Sequence, residues 1–185
     1  MTRLPLSERQ IAVALDRAAL GLEKYQWIMR RVRDCDARRD AEFQRAFNGF
    51  YKVRRDEAWR RQYFALLEQA KATPMTFSDV LRAIHTSTGR VEASYSSKLV
   101  ATLNPSLPVW DRYVLDFFGL CAPYPYQRDR VACCERLYGE LYRLMVELVA
   151  SAEGRLICAM FARRYPRVGV SDLKRVDLVL WQHRA

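Results

Sequence analysis

The sequence predicts an all-α fold, and three observations support that prediction. Apolar residues recur at alternating spacings of three and four along most segments, as on one face of a helix. Most of these segments begin at a capping residue and end at glycine, asparagine or proline. No segment shows the polar–apolar alternation of a half-buried strand. We therefore expect a single compact domain over residues 1–185, with about eight to ten helices joined by short loops.

The first third of the chain predicts three helices. Ser7 and Gln10 form a capping box at the start of the first helix. The second helix is expected to begin at Asp36 or Ala37 and to end at Asn48-Gly49, where the chain tolerates a left-handed cap. Asp56 caps the third helix, whose buried face would hold Trp59, Tyr63, Phe64 and Leu67.

The middle of the chain predicts a helical hairpin and a further helix. Thr76 or Ser78 caps the fourth helix and Gly89 ends it. A helix of 11 residues follows, and it carries Lys98. After a proline-punctuated loop, Asp111 is placed to cap a helix that runs up to Gly119.

The last third predicts three helices. A long helix should cover residues 128–152, and Glu153-Gly154 should break it. A short helix over 155–164 follows, and Ser171 caps the last helix. The expected core side of the long helix is formed by Val131, Leu137, Leu141, Met145 and Leu148. At least one of the adjacent Cys133 and Cys134 should be buried.

The charge balance leaves two interpretations open. The net charge is +10, and of the 31 basic residues 26 are Arg and five are Lys. Arg presents a planar fork of donors that suits phosphates, so an Arg-rich surface favours a polyanionic partner. A GC-rich coding sequence that places Arg on solvated faces explains the same composition.

The sequence disfavours disulfide-rich, metal-binding, membrane-spanning and secreted proteins. Five cysteines without a C-x-x-C or C-x-x-H spacing do not suggest a disulfide framework or a metal site, and we expect no metal and no cofactor. No apolar run approaches the roughly 18 residues of a membrane span. The N-terminal segment lacks the apolar core of a signal peptide, so we expect a cytoplasmic protein.

The hairpin and the loop after it carry a family resemblance. The arrangement helix–STGR–helix, followed by Pro108-Val109-Trp110-Asp111, resembles the core of the helix-hairpin-helix DNA glycosylase superfamily, in its 8-oxoguanine glycosylase-like branch. Segments 47–55 and 88–111 also look like a recurrent bacterial family. The resemblance implies a glycosylase-like helical fold, a DNA partner, and a hairpin whose main-chain N–H groups bind the DNA backbone. Gly89 matches one hairpin glycine, and Asp111 matches the aspartate that caps a helix and works in catalysis.

Two positions depart from that pattern. Val91 stands where the superfamily places a second hairpin glycine, and Ala93 stands where it places the Schiff-base lysine. Lys98 lies five residues farther along the same helix, about 140° around its axis. It is therefore not carried over as the nucleophile by position. It either reaches the same pocket by another route or is a surface lysine.

Lys98 and Asp111 are the candidate catalytic residues. A bifunctional glycosylase needs a neutral amine to attack the sugar C1′ and a carboxylate to support the developing charge. The alternatives are a solvated helix lysine and a purely structural N-cap. Because Asp111 precedes a helix, it should accept a hydrogen bond from the backbone of Tyr113 or Val114.

A set of hairpin and turn residues forms the candidate nucleic-acid surface. These residues are Gly89, Arg90 and Ser97 on the hairpin, with Asn48, Tyr51, Arg54 and Arg55 as a second polar wall. Four hydroxyl-bearing residues at 94–97 are costly to bury without partners, so this segment should line a cleft. The alternative for the second wall is a basic solvated loop. We thus predict a DNA-binding protein resembling a base-excision glycosylase/lyase; the alternative is a non-enzymatic helical interaction protein on a glycosylase-like scaffold.

Overall fold

The computed structural model describes residues 5–183, and these residues form nine α-helices and no strand. The helices are α1 (Glu8–Asp34), α2 (Ala41–Tyr51), α3 (Glu57–Ala72), α4 (Phe77–Thr88), α5 (Ala93–Leu103), α6 (Arg112–Phe117), α7 (Arg130–Ala150), α8 (Ala152–Arg164) and α9 (Asp172–Gln182). The all-α prediction is confirmed. None of the helices in this part of the chain is long and apolar enough to cross a membrane.

The chain forms two compact units. The central unit is Leu20–Asn104, and the flanking unit combines Met1–Ala19 with Pro105–Ala185. Helix α1 contributes residues to both units. The expectation that residues 1–185 form one domain stays a prediction, which the cooperativity of unfolding would test.

Most of the expected helix starts are confirmed by side-chain caps. The Ser7 hydroxyl accepts the Gln10 N–H at 3.3 Å, and the Gln10 side chain accepts the Ser7 N–H at 2.9 Å. The Asp56 carboxylate accepts the Trp59 N–H at 2.9 Å. Thr76 forms a capping box at the start of α4, and Ser171 caps α9. These starts follow from local hydrogen bonding, which explains why the sequence predicts them.

The predicted bounds of α2 are wrong at both ends. Asp40 is the N-cap, so the helix begins at Ala41 and not at Asp36 or Ala37. At the other end the helix passes Asn48-Gly49, because Phe50 and Tyr51 are buried and their packing favours another turn. Lys52 adopts the left-handed cap instead, with a φ of 55°.

The break between α7 and α8 lies earlier than predicted. Ser151 ends α7, and its hydroxyl accepts the Gly154 N–H at 3.1 Å to cap α8. Gly154 therefore lies inside α8 and does not break a helix. A Cβ at this position would lie 2.0 Å from the Leu148 carbonyl oxygen, so the glycine permits a close approach of backbone to backbone.

The core side of α7 differs from the prediction in its first half. Val131 and Leu137 are only half-buried. The buried residues are Cys134, Tyr138, Leu141, Met145 and Leu148, which recur at spacings of four and three. The buried face of the helix is thus continuous, but it begins at Cys134 and includes Tyr138 where Leu137 was expected. Burial of Cys134 confirms that one of the two adjacent cysteines is in the core.

Aromatic side chains dominate the core of the central unit. Phe47 contacts the rings of Tyr51, Tyr63 and Phe64 at centroid distances of 4.7, 5.8 and 5.6 Å. Helix α3 packs against α4 and α5, which themselves form an extensive pair. In the flanking unit, α7 and α8 pack together, and α9 packs against both and against α6. The large rings contribute the most buried apolar area per residue.

Candidate nucleic-acid interface

The turn between α4 and α5 is a tight helical hairpin. Gly89 ends α4 in the left-handed conformation with a φ of 68°, and its N–H donates to the His85 carbonyl at 2.8 Å. A residue with a Cβ would be strained there, which explains the glycine. The next residue, Arg90, is exposed, and its N–H donates to the Thr88 hydroxyl at 3.2 Å. The prediction that Gly89 ends α4 is confirmed.

The loop between α2 and α3 lies against the start of α5. The Arg54 backbone N–H donates to the Tyr95 hydroxyl oxygen at 3.3 Å, and the Arg55 guanidinium pairs with the Glu92 carboxylate at 2.7 Å. At the end of the loop, the Trp59 backbone N–H above all lowers the pKa of Asp56, and the positive charge of Arg90 adds to that effect. Two segments that are distant in sequence therefore share one surface.

We call this surface the cationic edge; it comprises Lys52, Arg54, Arg55 and Arg90. Lys52, Arg54 and Arg90 are exposed and form no ion pair within residues 5–183. Three other cations of the central unit are paired, because Asp40 pairs with Arg31 and Asp36 pairs with Arg38 and Arg39. The charges of Lys52, Arg54 and Arg90 are therefore available to an anionic partner, whereas that of Arg55 is paired with Glu92.

Three of the predicted surface residues have buried polar side-chain atoms. Tyr51 is 2% exposed, and its hydroxyl accepts a hydrogen bond from Thr102 at 3.3 Å. Ser97 is fully buried, and its hydroxyl donates to the Ser94 carbonyl at 2.9 Å. The Asn48 side-chain oxygen is buried and makes no hydrogen bond within the described part of the chain. The part that these residues play in binding stays a prediction.

Lys98 lies in the interior of the central unit. It is 8% exposed, so the interpretation as a solvated helix lysine is wrong. Its Nζ donates to the Tyr51 carbonyl at 3.1 Å and lies 5.2 Å from the centroid of the Tyr95 ring. Since Tyr51 is the last residue of α2, the ammonium lies at the negative end of that helix. The carbonyl and the ring face both favour a positive charge at this point.

Asp111 is the N-cap of α6 in the flanking unit. Its Oδ1 accepts the Tyr113 backbone N–H at 2.9 Å, which confirms the predicted cap. Lys98 belongs to the central unit and Asp111 to the flanking unit. Their joint role in catalysis stays a prediction.

Tyr95, predicted only as one of four hydroxyl-bearing residues that line a cleft, connects three elements of the central unit. Its hydroxyl accepts from the α2–α3 loop, and its carbonyl accepts the Tyr63 hydroxyl of α3 at 2.9 Å. The Trp59 ring lies 5.0 Å away, and the Arg55 guanidinium lies 5.5 Å from the Tyr95 ring centroid. The signal in the sequence was an aromatic residue within a polar stretch. The hydroxyls of that stretch indicated a cleft instead, and so the role of the ring was not predicted.

The expectation that residues 94–97 line a cleft is wrong for two of them. Ser96 and Ser97 are fully buried. The Ser96 hydroxyl donates to the Glu92 carbonyl at 2.9 Å, as Ser97 does to Ser94. Hydroxyls in a helix can bond the carbonyls of the preceding turn, which removes the cost of burial that motivated the cleft.

A groove runs between α3 and α4 on the central unit. Its volume is about 320 Å³. It is lined by Trp59, Gln62, Tyr63, Ala65, Leu66, Gln69, Ala83, Ile84, Ser87 and Thr88. None of these side chains is charged, so the groove suits an uncharged, largely apolar ligand or side chain.

Comparison of the chain with protein-family models, with curated proteins and with solved structures gives no match. Among residues 5–183, no group of three or more His, Cys, Asp or Glu side chains is arranged to hold a metal ion.

Proposed function

We propose that this chain is a cytoplasmic DNA-binding protein that contacts duplex phosphates through the cationic edge. The observation that carries the proposal is that the α2–α3 loop, with exposed Lys52 and Arg54, lies against the start of α5, next to exposed Arg90 and the turn at Gly89. Exposed cations without an ion pair release counterions condensed on DNA when they contact its phosphates, and this supplies most of non-specific DNA affinity. The resemblance of the hairpin to that of DNA glycosylases points to the same partner.

The reaction that we propose for this chain is the excision of a base during DNA repair. Lys98 would first lose its proton, and the neutral amine would then attack C1′ of the nucleotide and displace the base, which leaves with a proton; Asp111 would support the positive charge that develops on the sugar. Ring opening would leave an imine between Lys98 and the sugar, which borohydride reduces to a stable amine. Because Lys98 is 8% exposed, this chemistry requires local opening at the start of α5 or in the α2–α3 loop.

Equilibrium binding and covalent trapping test the two parts separately. We expect the protein to shift a duplex of about 20 base pairs at low salt, and to form a borohydride-trapped adduct on a duplex that contains an oxidised purine. Lys98→Gln should abolish trapping, while Lys24→Gln, a change at an exposed lysine of α1, should leave it intact. Absence of a shift would reject DNA binding. A shift without an adduct would leave a non-catalytic DNA-binding protein.

A second candidate is a non-enzymatic helical interaction protein. The uncharged α3–α4 groove favours it, since a volume of about 320 Å³ accommodates apolar side chains of a partner. The buried contacts of Lys98 are also consistent with a structural role. Failure of the duplex-binding test would favour this candidate.

A further inference from the structure

Tyr95 connects the cationic edge to the interior of the central unit. Four groups converge on it: two from the α2–α3 loop, one from α3 and one from its own helix, α5. Its hydroxyl accepts the Arg54 N–H, its carbonyl accepts the Tyr63 hydroxyl, and its ring faces the cationic ends of Arg55 and Lys98. The last two lie 5.5 and 5.2 Å from the ring centroid.

Lys98 and Arg55 make further contacts near the two ends of the α2–α3 loop. Lys98 binds the Tyr51 carbonyl, where the loop begins, and Arg55 pairs with Glu92 near its end. The Arg54 N–H bond to Tyr95 lies between these two points. The segment from Tyr51 to Arg55 is thus held to α5 and its N-cap residue Glu92 at three places, although residues 52 and 54 are exposed.

We propose that Tyr95 is a positioning residue for nucleic-acid binding: it fixes the α2–α3 loop so that Lys52 and Arg54 face the same phosphate backbone as Arg90. The inference rests on the proposed DNA-binding function. Cations held in place lose less conformational freedom on binding than cations on a mobile loop, so the order of the loop adds to affinity. Tyr95 itself need not touch the nucleic acid.

Tyr95→Phe isolates the hydroxyl, because phenylalanine keeps the ring and the backbone carbonyl. The matched control is Tyr165→Phe in the flanking unit, which removes a hydroxyl bond to the Leu15 backbone carbonyl. We expect Tyr95→Phe to weaken duplex binding about fivefold, which is the net effect of one ordinary hydrogen bond. It should also lower the slope of log affinity against log salt by about one phosphate contact. Tyr165→Phe should change neither.

Two further readouts separate positioning from a general loss of stability. Amide hydrogen exchange at Arg54 should become faster in Tyr95→Phe and not in Tyr165→Phe. In an Arg54→Ala background, Tyr95→Phe should have no further effect on the salt slope. An unchanged slope together with unchanged Arg54 exchange would overturn the proposal.

The exchange measurement does not depend on DNA. If the wild-type chain binds no duplex at low salt, the proposed function fails. Faster Arg54 exchange in Tyr95→Phe would then still support control of the loop by Tyr95, while unchanged exchange would reject it.

Discussion

Each of the two units contains a buried lysine, and the two lysines have different surroundings. Lys174 on α9 of the flanking unit is 3% exposed, and its Nζ lies 2.6 Å from the carboxylate of Asp177 on the same helix. Lys98 on α5 of the central unit donates to a backbone carbonyl and lies over the ring of Tyr95. The contact between Lys174 and Asp177 lies within one helix, whereas the contact between Lys98 and the Tyr51 carbonyl joins α5 to the end of α2.

This difference separates a local ion pair from a tertiary connection. Lys174 and Asp177 are three residues apart on one helix, so their ion pair forms within α9 and needs no other segment of the chain. Burial, and then the negative charge of Asp177, raises the pKa of Tyr138, which places this ring near the pair. Lys98 instead links α5 to the end of α2, beside the cationic edge. Because Lys98 joins separate segments of the chain, it is a better candidate for a functional role than Lys174.

The largest expected effect comes from breaking the buried pair. Lys174→Met leaves the Asp177 carboxylate buried without its ammonium, and we expect a loss of about 3–5 kcal/mol in the free energy of unfolding. The double change Lys174→Met with Asp177→Leu should recover most of that loss, because no charge then remains buried. Urea denaturation measures both. A single variant as stable as the wild type would show that the pair is not buried.

Removal of the Lys98 ammonium should have a smaller effect. Lys98→Met leaves the buried Tyr51 carbonyl without this donor, and we expect a loss of about 1–3 kcal/mol from that hydrogen bond. Lys24→Met on the exposed surface of α1 is the control and should change the free energy of unfolding by less than about 0.5 kcal/mol. Equal midpoints in urea for Lys98→Met and Lys24→Met would contradict the contacts described for Lys98.

Asp111 permits a separation of capping from charge. Asp111→Ala removes the acceptor for the Tyr113 N–H and should lower stability by roughly 0.5–2 kcal/mol. Asp111→Asn keeps an N-cap of similar strength and should retain most of the stability. If base excision occurs and needs the carboxylate, Asp111→Asn should lose activity while remaining folded. An unchanged melting temperature in Asp111→Ala would contradict a capping role.

The smallest expected effect comes from the ion pair between Asp36 and Arg38 at the protein surface. Hydrogen bonds from the Arg38 side chain, above all, lower the pKa of Asp36 from its usual 3.8 to about 2. A carboxyl with a lowered folded-state pKa stabilises the fold above its unfolded pKa, and this contribution disappears as the pH falls toward 2. Asp36→Asn should therefore reduce the decrease in melting temperature between pH 5 and pH 2. A parallel decrease in both proteins would show that this ion pair contributes nothing.

The helices were predictable where the determining interactions are local. Asp56, Thr76 and Ser171 cap helices through bonds to residues three positions away, and a short stretch of sequence contains that information. The end of α2 was not predictable from Asn48-Gly49, because Phe50 packs against the ring of Tyr25 in α1 and Tyr51 is hydrogen-bonded to Thr102 in α5.

The candidate site was predictable in part for the same reason. The hairpin turn at Gly89 is a local structure and was expected. The burial of Lys98 depends on the carbonyl of Tyr51, 47 residues earlier, and the role of Tyr95 depends on the loop at Arg54, 41 residues earlier. Neither contact leaves a spacing pattern in the sequence.

The salt dependence of duplex binding tests the central claim most directly. Fluorescence anisotropy with a labelled duplex of about 20 base pairs would compare the wild type with Arg54→Ala/Arg90→Ala, and with Arg143→Ala on the exposed face of α7 as the control. We predict that wild-type affinity falls steeply with salt and that the double change lowers the log–log slope by nearly two, since each neutralised phosphate contributes about 0.9. Arg143→Ala should keep the wild-type slope. A flat salt dependence in the wild type, or equal slopes in all three proteins, would contradict DNA binding through the cationic edge.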